Sequence, residues 1–390
     1  MKLLVLLSRF PYPLEKGDKL RAYHQIKELA KQHEIHLVCL TDQNIKDEWV
    51  IEVKKICKEL HVFKLNWALI YWNTAKQFFT DKPFQVGYFY QRTIQKKINS
   101  LIVEIKPDHI YCQLIRTAEY VKNIQHIKKT IDYMDALGKG MFRRSEISTG
   151  IKKRLFKMEA KRLSEYENRI FDYFNHHTII SEQDRKFINH AQQNDITIIE
   201  NGIDESFFNF DKVVDKKYDL VFIGNMNYAP NMECAEFIVN EILPDLSLKN
   251  SSIQLLISGA NPHQRILNLE GKNVTVSGWV EDIRQSYASG KIFVAPLFIG
   301  TGLQNKLLEA MAMGIPCVTT TLAKSGLGIH KNKIVLTADS KDEFVEKISA
   351  LLEDENLYAE LSKSAREYVQ QSFSWNISVA KLNLLISSYS

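Results

Sequence analysis

The chain has 390 residues, 45% hydrophobic and 25% charged, with a formal net charge of +5. This is the composition of a soluble globular protein, and at ~100–200 residues per domain the length predicts about two domains. The charge is compatible with anionic ligands or a membrane surface but too small to argue for nucleic acid as a partner. The five cysteines, Cys39, Cys57, Cys112, Cys234 and Cys317, are widely spaced with no C-x-x-C. That argues against a disulfide framework or a zinc site and fits a reducing compartment such as the cytoplasm.

The chain opens with MKLLVLLSRFPYP. Its apolar run is too short for a signal-peptide core and no small-residue cleavage site follows, so it reads as a buried first strand. Apolar runs predict strands at 3–7, 35–40, 62–65, 109–112, 130–133, 178–180 and 197–199, with helical patterns such as 19–31 and 151–175 between them. The aromatic stretch 67–79 is too short and too polar to span a bilayer. In the helical segment after 150, Lys152, Lys153, Arg154, Lys157, Lys161 and Arg162 surround Leu155 and Phe156, diluted by Glu159 and Glu165. Such a face is either simply solvated or makes weak, reversible contact with anionic lipids.

In the second half the strands fall at 219–223, 253–258, 274–277, 292–295, 317–320 and 334–336. Continuous apolar strands interleaved with helices predict parallel sheets covered on both faces, hence an α/β protein of two Rossmann-like domains. The expected division is 1–203 and 204–373, with the join in the charged stretch 201–217. Residues 374–390 form a last helix able to cross back to the first domain.

Residues 300–316, GTGLQNKLLEAMAMGIP, lie between two predicted strands. Thr301 is placed to cap a helix, with Gln304 at the third helical position. Gly314 takes the left-handed position after the helix, and Pro316 stops it. Leu303, Leu307 and Met311 make one apolar stripe, while Gly302, Lys306 and Glu309 share another face. In open α/β sheets ligands bind outside the carboxyl ends of the strands, where this helix begins. Its free amides and glycines suit a phosphate, Lys306 adds charge, and Glu309 can accept two hydroxyls, so a diphosphate with an attached ribose fits. The same residues also describe an ordinary surface helix with an i,i+3 charge pair.

The run LLEAMAMGIPCVTT resembles the E-A-M-A-x-G-x-P-V-V-x-T signature of retaining glycosyltransferases of family 4. RFPYPLEKGDKLR, TIISEQDR with IIENGID, and VFIGNMNYAPN are similar to segments of a subgroup linked to bacterial exopolysaccharide biosynthesis, in the expected order. The resemblance implies the GT-B fold, two Rossmann-like domains facing a cleft, with the acceptor on the first and a nucleotide-sugar donor on the second. It implies that Glu309 binds the donor ribose and that the amide of Gly17 faces the diphosphate. The family's first glutamate, eight positions before Glu309, is replaced by Thr301, so the amides of Gly300, Thr301, Gly302 and Leu303 are expected to take over. The loop opened by Gly224 and Asn225 lacks the family's basic pair. Lys306 and Arg265 are the candidates to replace it, with Lys306 the catalytic cation. Asp132 and Asp135 fall where the family has a histidine or acid facing the transferred sugar, which makes them the other catalytic candidates, and Arg21 is the acceptor-side one. Helix amides and Lys306 would stabilise the leaving diphosphate without a metal or cofactor. The expected partners are a nucleotide-sugar donor and a glycan or lipid-linked acceptor. A nucleotide-sugar epimerase and a non-catalytic nucleotide-sugar-binding protein are the alternatives.

Overall fold

The computed structural model describes residues 1–14, 16–146, 148–298, 303–329 and 334–387. They form two compact units: residues 1–201 with the helix Trp375–Ser387, and residues 202–374. Among the described residues no helix is long and apolar enough to cross a membrane.

The first unit is a parallel sheet of β1 (Lys2–Leu7), β2 (Glu34–Thr41), β3 (Glu59–Lys64), β4 (His109–Gln113), β5 (Lys128–Asp132), β6 (His176–Ile179) and β7 (Thr197–Ile198). Their order is β3-β2-β1-β4-β5-β6-β7. Side chains alternate across a strand, so KLLVLL feeds two cores. Leu3, Val5 and Leu7 join Ile26, Leu29 and Leu382 on one face; Leu4 and Leu6 join Ile98, Ile110 and Ile131 on the other. The Trp375–Ser387 helix lies beside the Gly17–Leu29 helix, and the His24 and Trp375 rings stack at 4.9 Å.

The second unit repeats the plan with β8 (Tyr218–Ile223), β9 (Leu255–Ser258), β10 (Val274–Gly278), β11 (Gly290–Ala295), β12 (Cys317–Thr319) and β13 (Leu336–Thr337). The order is β10-β9-β8-β11-β12-β13, again parallel. Gly259, at φ +142°, lies so close to the end of β8 that a Cβ there would stand 1.8 Å from the Gly224 carbonyl oxygen.

Strand order therefore reverses between β1 and β4 in the first unit and between β8 and β11 in the second. These are the two topological switch points, where diverging connections leave a crevice at the carboxyl ends of the strands.

One local expectation is corrected. The helix after β11 runs over Asn305–Ala312 and opens with Gln304, whose backbone (φ −98°, ψ 88°) is not helical. Gln304 is thus the cap residue rather than the third helical position, and Lys306 stands in the first turn. Thr301 lies outside the described residues. The other end is as expected: Gly314 has φ +69°, and its N–H donates to the Met311 carbonyl at 2.9 Å.

Candidate functional site

At the switch point of the second unit, β8 leads through Gly224 and Asn225 into the helix Ala229–Phe237, and β11 leads into the helix Asn305–Ala312. The two strands pair side by side. Two helix N-termini, each with unsatisfied amides and a positive dipole end, therefore open at one edge.

Lys306 and Asn231 join their first turns. The Lys306 ammonium donates to Asn231 Oδ1 and lies 5.4 Å above the Phe222 ring. Asn231 is buried, and its Nδ2 donates to the Asn225 carbonyl at 2.9 Å. A Cβ on Gly224 would meet Asn231 Nδ2 at 2.6 Å, so a glycine is needed there to leave room for that amide. Burial lowers the Lys306 pKa, with Cys234 and Glu309 pulling it back. The side chain keeps some exposure to solvent, so a cation held in a partly desolvated place can reach an anion.

Glu309, one turn on, accepts the Tyr287 hydroxyl at 2.7 Å. Burial pushes its carboxyl up to about 7 against the opposing pull of that hydrogen bond and of Lys306. It too is half-buried. Among the described residues only one of its oxygens is held by a hydrogen bond, which leaves the other to accept from a ligand.

The remaining candidates of this unit separate. Leu303 is half-buried against the core. Asn225 is exposed, its Oδ1 accepting the Asn227 N–H at 3.0 Å. Arg265 is exposed; its guanidinium forks onto Glu236 at 2.9 and 2.6 Å and ties its short helix to the neighbouring one. Gly300, Thr301 and Gly302 lie outside the described residues.

In the first unit two expectations are overturned. Asp132 and Arg21 are both fully buried. Arg21 Nε and Nη2 donate to the Asp132 carboxylate at 2.6 and 3.1 Å, and Arg21 Nη1 donates to the Ile199 carbonyl and to Asn201 Oδ1 at 2.8 Å each. Tyr111 and Thr178 hydroxyls and the Met134 N–H also donate to Asp132. A carboxylate so saturated cannot face a sugar, nor can this arginine face an acceptor. Their work is to pin the Gly17–Leu29 helix to β5, β6 and the end of β7.

Asp135 behaves differently. Met134 takes a left-handed backbone at φ +63°, and the turn swings Asp135 out of the sheet into solvent. Although the residue as a whole is exposed, its carboxyl is packed among neighbours whose desolvation pushes it up to about 6, with Asp184 adding repulsion and Arg116 opposing. Arg116 follows β4, where Leu114 is likewise left-handed at φ +64°. It donates to Gln85 Oε1 at 3.0 and 2.6 Å, and burial and then Arg9 push it down to about 10. Backbone strain of about 1–3 kcal/mol per residue thus sits at the ends of β4 and β5 beside these two groups. Gly17 opens its helix, and among the described residues nothing lies within 4 Å of where its side chain would be.

Asn231, Tyr287 and Arg116 were not singled out from the sequence. Asn231 lies in the loop that was, directly after a proline that starts a helix, and that was its one signal. Tyr287 and Arg116 have none, because what matters is the element each touches.

Residues 217–354 match the family model described as Glycosyl transferases group 1. A Klebsiella pneumoniae protein described as an uncharacterized 44.6 kDa protein in cps region is 22% identical over 399 residues, covering 95% of this chain and 96% of that one. The crystal structure of Anabaena Alr3699/HepE in complex with UDP-glucose is similar with a TM-score of 0.64 at 15% identity, covering 99% of both chains. A glycosyltransferase from Rickettsia africae ESF-5 gives 0.67 at 14% identity, covering 99% of this chain and 98% of that one. At such identities the structures speak for the fold alone. Residues 217–354 thus carry a glycosyl transferases group 1 domain, and the chain's two parallel-sheet units are those of the GT-B glycosyltransferase fold.

Proposed function

We propose that the chain is a retaining hexosyltransferase of family 4, moving a sugar from a nucleotide diphosphate sugar to a hydroxyl of a glycan or lipid-linked saccharide. The observation that carries this reading is Lys306, a partly desolvated cation fixed by Asn231 between two helix N-termini at the switch point of the matched domain. The diphosphate occupies that edge, and Glu309 accepts the ribose hydroxyls through its open oxygen. As the bond between the sugar's anomeric carbon and the phosphate oxygen breaks, negative charge grows on the diphosphate. Fixed charges and amides favour that state over the ground state, which is what accelerates the step. The acceptor oxygen bonds the anomeric carbon on the face the phosphate leaves, and its proton passes to a phosphate oxygen. Positive charge from Lys306 and the helix ends supplies what a metal supplies elsewhere. Asp135, and not Asp132, is the acid of the first unit offered to a sugar. The binding of UDP-glucose by Alr3699/HepE supports a nucleotide-sugar donor, and the relative from a cps region supports a part in polysaccharide biosynthesis.

The test is a panel of nucleotide sugars scored by melting temperature, since a ligand that binds only the folded state raises it. The nucleotide sugar that binds is then incubated with saccharide acceptors, and nucleoside diphosphate release and the product anomer are measured. The expected result is acceptor-dependent release with the donor's anomeric configuration kept. Donor consumption without acceptor indicates an epimerase, and binding without turnover indicates a non-catalytic binder; either result rejects the proposal.

A further inference from the structure

The first unit carries a surface that the reaction does not use. Between β3 and β4 the chain forms the helix Trp67–Lys76 and the single turn Gln77–Phe79. Phe79 is 91% exposed, and Tyr71 and Trp72 are each 70% exposed. These rings are held out by a fixed backbone. The Gln77 side chain turns inward, donating to the Asn73 carbonyl at 2.8 Å and accepting from the Thr80 hydroxyl at 2.6 Å. The helix Gly150–Phe171 braces the segment: Arg162 donates to the Gln77 carbonyl at 2.8 Å, and Glu159 accepts the N–H groups of Phe84 and Gln85 at 2.8 and 3.1 Å. A protein keeps such an apolar patch in water for something that covers it.

The brace is also the most basic part of the chain. Residues 139–162 hold nine of its 51 Lys and Arg and only two of its 46 Asp and Glu, so acids outnumber bases elsewhere. Of those two acids, Glu159 is buried under the platform. Ile151, Leu155, Met158 and Arg162 recur at i, i+4, i+7 and i+11, one helical stripe. Ile151 and Leu155 are exposed, and at its other end Arg162 lies 5.1 Å from the Phe84 ring, itself 4.8 Å from Phe78. The basic helix and the aromatic segment therefore adjoin through Arg162, Phe84 and Phe78.

We infer that this face docks the protein on an anionic lipid bilayer, the rings entering the interface and the lysines and arginines meeting the headgroups. Charge chooses this occupant: a second copy would bring like charge against like, whereas aromatic and apolar anchors amid cations match an anionic interface. The inference goes beyond sugar transfer and is measured without donor or acceptor, so its failure leaves the transferase reading untouched.

The test is co-sedimentation of the full chain with vesicles of phosphatidylcholine alone or mixed with phosphatidylglycerol, at low and high salt. The expected result is recovery with anionic vesicles only, lost on adding salt. Lys152→Ala with Arg154→Ala weakens partitioning by roughly thirtyfold, and Trp72→Ser with Phe79→Ser by roughly tenfold, at unchanged melting temperature. Equal recovery with neutral and anionic vesicles overturns the inference. So does anionic binding that both variants leave unchanged, or concentration-dependent self-association that Trp72→Ser with Phe79→Ser abolishes.

Discussion

Tyr287 holds Glu309 through a hydrogen bond of 2.7 Å, and the same hydroxyl stands 3.1 Å from the carbonyl oxygen of Lys306. One buried phenol thus touches both charged residues of the Asn305–Ala312 helix. It fixes one Glu309 oxygen, and the other accepts a ribose hydroxyl with the strength of a charge-assisted bond only when the carboxylate is ionised. With that carboxyl pushed up to about 7, donor binding is expected to tighten as pH rises through 7. Ribose hydroxyls do not react, so the contact is equal in ground and transition states. A charge-assisted hydrogen bond is worth about 1.5–3 kcal/mol, so Glu309→Ala raises donor KM by roughly ten- to a hundredfold with little change in kcat. Steady-state kinetics against donor across pH checks both. A KM that ignores pH in the wild-type protein removes Glu309 from the ribose.

Lys306 is expected to fail differently. It faces charge that appears only as the bond breaks, so Lys306→Ala lowers kcat by on the order of a hundredfold for ~2.7 kcal/mol. Asn231→Ala leaves the ammonium without its acceptor, lowers kcat less, and moves the alkaline limb of the kcat profile to lower pH, because the charged form loses a hydrogen bond. Asn231→Asp moves that limb the other way. If the double variant Lys306→Ala with Asn231→Ala shows the product of the two single effects, the residues act independently and the positioning role is wrong.

The strands were legible because parallel strands buried on both faces are apolar throughout. KLLVLL, HLVCL and DLVFIG announce themselves, and the turn at Gly314 follows from needing φ above zero. The helix after β11 was legible as an element but not at its start, because Thr301 and Gln304 satisfy a capping pattern that the non-helical backbone of Gln304 contradicts. At the site, Lys306 and Glu309 stood out as charges on an apolar helix. Asp132 was misread because Asp132 and Asp135 look alike in IDYMD. What separates them is the left-handed Met134 between them and the arginine 111 positions away that claims one of them. Neither is a local property of the sequence.

That pairing has its own consequence. Burial works against the Arg21 charge, and Asp132 outweighs it. Removing one partner strands a charge in the core, at a cost of about 3–5 kcal/mol. Arg21→Met and Asp132→Leu should each lower the urea midpoint sharply, and the double variant should lie well above their sum. Activity loss in either without loss of stability would return these residues to the ligand-facing role.

The last prediction concerns Glu167, a buried side chain whose Oε1 accepts the Gly138 N–H at 3.2 Å. Burial pushes its carboxyl up to about 8, the Gly138 and Leu137 amides opposing and Asp135 and Asp184 adding repulsion. The unfolded chain has the ordinary glutamate value near 4.5, so the fold prefers the protonated form. The stabilisation is complete below pH 4.5 and is lost as pH climbs towards 8, with a slope of at most about 1.4 kcal/mol per unit. Glu167→Gln keeps an oxygen for the amides and has no proton to lose. The variant and the wild-type protein should therefore be about equally stable at pH 5, and the variant the more stable at pH 8. Urea unfolding at both pH values separates this from a general pH effect, which moves both proteins alike. Parallel stability profiles would mean that Glu167 is ionised in the fold and that the two amides hold its charge.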